Sequence, residues 1–227
     1  MQIRRFAALS ALIGLTACSA SASNAPLPDP AYDAPKTTVH GTDTAVLAGG
    51  CFWGMQSVFE HVRGVRQVWA GYSGGDANTA HYDDVSEGNT GHAESVKIAF
   101  DPAVISYGQL LKIYFAVAHD PTTLNRQGPD AGTQYRSEIF YANAEQQKVA
   151  QAYITQLDAA KVFDTSIVTL VQPLQGFYPA EDYHQDYARK HPDNMYIVVN
   201  DAPKVAQLKQ AFPALYQPEQ MVVDVKL

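Results

Sequence analysis

Short apolar runs that alternate with amphipathic helical stretches, with few tight hairpin signals between them, predict an α+β fold. The architecture expected is a two-layer α/β sandwich in which a mixed sheet packs against helices. Composition allows it: 46% of the 227 residues are apolar and only 17% are charged, so the chain can bury a substantial core.

The elements follow in order. Ala45-Val46-Leu47-Ala48 is an apolar run closed by Gly49-Gly50, which predicts a buried strand and a tight turn. Phe52, Met55, Phe59 and Val62 recur at helical spacing, and Gly64 is placed to end that helix. Val65 to Tyr72 reads as a second strand, and Gly74-Gly75 opens a polar loop that reaches Gly91. Ala93 to Phe100 alternates cleanly and predicts a third strand. Ser106 and Gln109 have capping-box spacing before a helix through Leu110, Ile113, Tyr114 and Val117, which Asp120-Pro121 stops. A second loop, Pro121 to Tyr135, leads to a strand at Ser137–Tyr141. Asn143 then caps a helix carrying Val149, Tyr153 and Leu157. Ile167 to Val171 reads as a strand, Pro179 as a helix start, and Tyr196 to Val199 as short and β-rich.

The N-terminus has a different character. Arg4 and Arg5 precede an apolar run from Phe6 to Leu15, too short to span a bilayer, so residues 1–17 are expected to be an export signal. The string Leu15-Thr16-Ala17-Cys18 resembles a bacterial lipoprotein processing site; a plain secretory peptide cleaved elsewhere is the alternative. Lipidation of Cys18 is the expectation, with residues 18–44 a flexible Pro/Ala/Ser tether and 45–227 the catalytic domain. Residues 1–17 hold Arg4 and Arg5 and no acid, so their removal takes the net charge from −7 to −9. An acidic body has no attraction for phosphate backbones, which argues against nucleic-acid binding. Membrane contact is then expected through the lipid anchor alone, on an exported, periplasm-facing monomer.

Cys18 and Cys51 are the only cysteines. With Cys18 lipidated, Cys51 is the lone thiol of an exported body, which marks it for chemistry. It stands where strand gives way to helix, and a helix N-terminus favours thiolate over thiol. An inert buried cysteine also fits that position. The seven histidines would suit a Cys–His hydrolase, and tyrosine-rich loops a non-catalytic binding protein. No His-Glu-x-x-His or paired-ligand spacing is present, so no metal site is expected. Glu94 has the parity of Val96, Ile98 and Phe100, which places its carboxyl on the apolar face of its strand. Burial there raises a carboxyl pKa and suits a general acid, with a strand end open to water as the alternative.

The string Gly49-Gly50-Cys51-Phe52-Trp53-Gly54 resembles the nucleophile motif of the class A peptide methionine sulfoxide reductases. The resemblance continues through Gly71-Tyr72-Ser73-Gly74-Gly75, Tyr82-Asp83-Asp84-Val85 and Thr90-Gly91-His92-Ala93-Glu94. It resumes at His119-Asp120-Pro121-Thr122, at Asp130 with Gly132-Thr133-Gln134-Tyr135-Arg136-Ser137, and at Ala180-Glu181-Asp182-Tyr183-His184-Gln185. It implies a ferredoxin-like core, no bound cofactor, and reduction of methionine S-sulfoxide, free or in oxidised proteins and peptides. Cys51 would be the nucleophile and Glu94 the proton donor, with Phe52 and Trp53 forming a slot for the substrate methyl. The hydroxyls of Tyr82 and Tyr135 would bind the sulfoxide oxygen, supported by Asp130; His184 and His191 read as structural. Many relatives resolve the sulfenic acid with C-terminal cysteines, but residues 200–227 contain none. Recycling is therefore expected to use an external thiol, from a thioredoxin-like protein or from glutaredoxin and glutathione.

Overall fold

The computed structural model describes residues 27–35 and 37–218; the expected signal peptide and Cys18 lie outside them. The body opens with β1 (Asp43–Gly49), α1 (Phe52–Glu60), β2 (Val65–Ser73), α2 (Tyr82–Ser86), β3 (Ala93–Phe100) and α3 (Tyr107–Ile113). A two-residue hairpin, β4 (Arg126–Gln127) and β5 (Asp130–Ala131), precedes β6 (Ser137–Tyr141) and α4 (Ala144–Ala159). The chain ends with β7 (Leu170–Pro173), β8 (Tyr178–Pro179), α5 (Tyr187–Lys190) and α6 (Ala202–Ala211). The sheet order is β7-β6-β1-β3-β2-β8, parallel between β6 and β7 and antiparallel elsewhere. This is the mixed α+β sheet that the sequence predicts.

Alternation sets the two faces. Leu47 pairs with Val96 across β1 and β3, and both are fully buried under the helices. Ile98 and Ile139 join them, and Met55 and Phe59 of α1, Leu110 of α3 and Tyr153 of α4 fill the same core. Each such side chain contributes about 1.5–3 kcal/mol of burial. The opposite face carries a thinner apolar patch of Val46, Ala48, Ala93 and Phe140, covered by Leu174 and Phe177. The helix starts are made as the sequence predicts. Ser106 and Gln109 form a reciprocal capping box at α3, and the Gln146 N–H donates to Asn143 Oδ1 at α4.

Four expectations change. The tether does not run free to residue 44, because residues 28–33 within it dock on the helical layer. Asp33 accepts from the Gly108 N–H at 2.9 Å and the Ser106 hydroxyl at 2.5 Å, reinforcing the start of α3. Tyr32 donates to Glu145, the Pro28 carbonyl accepts from Tyr153, and Lys112 pairs with Asp29. Pro179 begins no helix. It sits in the edge strand β8, where its missing N–H costs the ladder nothing. The β-rich stretch after Tyr196 is helical: Ile197–Asp201 forms a π-helical turn that runs into α6. Only Ile197 of its β-branched residues is buried, while Val198 and Val199 face outward, so packing of a single side chain overrode local preference. Finally, the strand expected at Ile167–Val171 begins at Leu170.

Candidate active site

The turn between β1 and α1 carries the nucleophile candidate. Gly50 has φ +90°, and a Cβ there would lie 2.6 Å from Gln127, so no other residue fits this corner. The corner delivers Cys51 to the N-cap of α1, buried at 8% exposure. The Trp53 backbone N–H and the Tyr196 hydroxyl both favour its thiolate, as a helix N-terminus should. Burial is the larger effect, however, and the Glu94 and Asp201 carboxylates add to it. Together they push the Cys51 thiol well above its ordinary value. The expected lowering is thus reversed, and Cys51 rests as a thiol.

Glu94 lies on the helix-facing side of β3 at 3% exposure, as parity predicts. Its Oε2 accepts the Phe52 N–H at 2.9 Å, which ties the carboxyl to the first turn of α1 beside Cys51. Burial, with smaller help from the charges of Asp130 and Asp201, overcomes that hydrogen bond and raises its pKa to about 8. At neutral pH Glu94 therefore holds a proton in a buried site.

Around these two groups closes a cavity of about 150 Å³, lined by Cys51, Phe52, Trp53, Tyr82, Glu94, Asp130, Tyr135 and Tyr196. All seven residues expected in the site from the sequence of the body meet in it. Pockets for drug-sized ligands run to about 300–1,000 Å³, so this one suits a small group such as a methylsulfinyl end. Burial and the neighbouring acids raise the Tyr82 and Tyr135 hydroxyls above their usual range, so both remain hydrogen-bond donors. No histidine lines the cavity, and His119, which lines the groove beside Cys51, has both ring nitrogens engaged, by the Tyr114 carbonyl and the Ser137 hydroxyl, so neither is free to serve as the base of a Cys–His hydrolase. Among the described residues no cluster of His, Cys, Asp and Glu could hold a metal.

The walls are fixed from behind by residues that sequence reasoning missed or read as merely structural. Tyr196 donates its hydroxyl to Asp130 Oδ2 and stands edge-on to Trp53, whose indole stacks on Tyr187 at 3.8 Å between ring centroids. Trp53 Nε1 donates to His184 Nδ1 at 3.1 Å, and the His184 ring lies 5.0 Å from Phe52 and 4.4 Å from Tyr82. Glu181 accepts from the Tyr72 hydroxyl and the Tyr82 backbone N–H, holding the start of α2 against β2. His184 and Glu181 belong to the closing motif noted in the sequence. Tyr196 gave no signal there, because its segment read as a strand. Beside the cavity runs a wider groove of about 1210 Å³ that shares Cys51, Asp130 and Tyr196 with it.

The description "Peptide methionine sulfoxide reductase" belongs to the family model that matches residues 43–215. A peptide methionine sulfoxide reductase MsrA 2 of Mesorhizobium japonicum is 56% identical over 183 residues, covering 81% of this chain and 94% of its own. One of the same name from Synechocystis sp. is 54% identical, covering 82% of this chain and 88% of its own. Among solved structures, reduced Mxr1 of Saccharomyces cerevisiae superposes with a TM-score of 0.60 at 32% identity, over 67% of this chain and 87% of that one. Methionine sulfoxide reductase A of Corynebacterium diphtheriae gives 0.59 at 35% identity, over 67% and 76%. The fold, the buried thiol–carboxyl pair and these likenesses agree, and the chain belongs to the peptide methionine sulfoxide reductase family.

Proposed function

We propose that this chain reduces methionine S-sulfoxide, free and in oxidised proteins, through a sulfenic acid on Cys51. The observation that carries the mechanism is the protonated, buried Glu94 bound to the same helical turn as the Cys51 thiol. The substrate methyl lies against Phe52 and Trp53, and the Tyr82 and Tyr135 hydroxyls donate to the sulfoxide oxygen. Cys51 Sγ bonds to the substrate sulfur as that oxygen takes the Glu94 proton, and the thiol proton returns to the Glu94 carboxylate. The hydroxyl then passes to Cys51 Sγ as the bond between the two sulfurs breaks. Methionine leaves, and one oxygen has moved from substrate to enzyme.

A thiol from outside attacks the Cys51 sulfenic acid, giving a mixed disulfide and water. A second thiol releases Cys51. The wide groove beside Cys51 gives a thioredoxin-like protein, or glutathione with a glutaredoxin, room to reach the sulfur. Incubation with the S and R epimers of a methionine sulfoxide peptide plus dithiothreitol, read by mass spectrometry, tests the reaction. Methionine should form from the S epimer alone; equal conversion of both, or none, overturns the reading.

The chain is further proposed to be a lipoprotein anchored through Cys18 and facing the periplasm, on the strength of the basic start, the apolar run and the Leu15-Thr16-Ala17-Cys18 string. Cys18→Ala should move it from the membrane to the soluble fraction or block its processing. Unchanged partitioning and processing would refute the anchor.

A further inference from the structure

Asp201 sits where the π-helical turn Ile197–Asp201 meets α6, at 1% exposure. Its Oδ1 accepts from Lys204 Nζ at 3.3 Å, and its Oδ2 has no hydrogen-bond partner among the described residues. A buried carboxylate half-unpaired in this way is costly and is kept only where something depends on it. It is pressed on the first turn of α1: a methyl group on Gly54 would lie 2.1 Å from Oδ1 and 2.8 Å from Cγ. The glycine that closes the Gly-Cys-Phe-Trp-Gly string is thereby explained, since any side chain there would displace Asp201. The same turn of chain carries Tyr196, which closes the cavity over Cys51.

The charged and titratable neighbours define the field. Lys204 faces Asp201 from α6 and is its one close cation among the described residues, and Lys204 also bears on buried His119. Cys51 at the start of α1, Glu94 on β3 and Tyr196 all feel the Asp201 charge, and Asp201 in turn feels the charge of Asp130 on β5. Cys51, Glu94 and Tyr196 are all acids, so an ionised Asp201 opposes the loss of a proton from any of these three.

We propose that Asp201 is a positioning residue for the reductase reaction: its carboxylate locks the Tyr196 segment onto Gly54 and sets a negative charge beside Cys51 that Lys204 only partly offsets. The inference rests on Cys51 being the nucleophile, but it concerns the state of the resting thiol and is measured without substrate. A merely structural Asp201 would influence folding and leave the thiol chemistry of the folded protein unmoved. The charge role moves it in opposite directions when either partner is neutralised.

The test uses the Cys18→Ala chain, in which Cys51 is the only thiol. Its rate of alkylation by iodoacetamide is followed from pH 7 to 10.5 in the parent, in Asp201→Asn and in Lys204→Met. Asp201→Asn should move the profile to lower pH and speed alkylation at pH 8 by roughly threefold or more, because thiolate is the reacting species. Lys204→Met should move it to higher pH and slow alkylation by a similar factor. Should Asp201→Asn fail to fold, as judged by circular dichroism, the upward shift in Lys204→Met still decides. Profiles that coincide with the parent, or two variants that shift in the same direction, overturn the proposal.

Discussion

Replacing Glu94 with Gln should make the protein more stable in mild alkali while it removes most of the chemistry. The carboxyl is buried, and its pKa rises to about 8 from an ordinary 4.5. The folded state therefore binds a proton that the unfolded chain has already released. Stability from this group is fully present below about pH 4.5 and is lost as pH climbs toward 8, at about 1.4 kcal/mol per pH unit. Gln keeps the shape, can still accept the Phe52 N–H, and titrates in neither state. For a body of this size 1 kcal/mol moves Tm by about 2–4 °C, so the Tm of the variant minus that of the parent should grow by about 3–6 °C per pH unit from 5 to 8. In single-turnover assays at pH 7 the same variant should release methionine about 10²–10⁴-fold more slowly, because the proton for the departing oxygen is gone. Thermal melts at four pH values and one quenched-flow series supply both numbers. A Tm difference independent of pH would mean that Glu94 is not held protonated by the fold. A rate within tenfold of the parent would mean that its proton is not used.

Two other changes test parts of the architecture. Asp33→Ala removes both bonds that the docked N-terminal segment gives to the start of α3, and should cost about 1–2 kcal/mol, read as a lower Tm with kcat unchanged. An unaltered Tm would show that these two bonds add nothing to the stability of the body. His184→Ala leaves the Trp53 indole N–H without its acceptor, a buried loss of about 1–3 kcal/mol. KM for a methionine sulfoxide peptide should rise more than kcat falls; a selective fall in kcat would instead assign His184 to the chemistry.

The legible parts of this molecule were those governed by local rules. Alternation in Ala93–Phe100 was enough to put Glu94 on the buried face, because a period of two leaves a side chain only two places to go. The capping box at Ser106 and the glycine pair before Cys51 are likewise written within a few residues. What could not be read depends on partners far along the chain. Tyr196 closes the cavity only because its segment packs across α1, and the helical form of that segment contradicts its own β-branched composition. The resting state of Cys51 was misjudged for the same reason: the helix terminus is local, whereas Glu94 and Asp201 arrive from β3 and from beyond Tyr196. The docking of Pro28, Tyr32 and Asp33 was hidden by a composition that elsewhere means a free linker. Residues that a family motif marks can still lack a visible role. His184 stood in such a motif, yet its duty as acceptor for Trp53 became clear only in three dimensions.

The central claim is that Cys51 takes the sulfoxide oxygen and keeps it until a foreign thiol arrives. The Cys18→Ala chain should be mixed with excess methionine S-sulfoxide in the absence of any reductant, and the products counted by mass spectrometry. One methionine per protein should appear, the chain should gain a single oxygen, and dimedone should trap it on Cys51, since the chain then has no second thiol with which to form a disulfide. Methionine formation that continues through several turnovers with all thiols excluded, or a chain that releases methionine while Cys51 stays unmodified, would contradict the account.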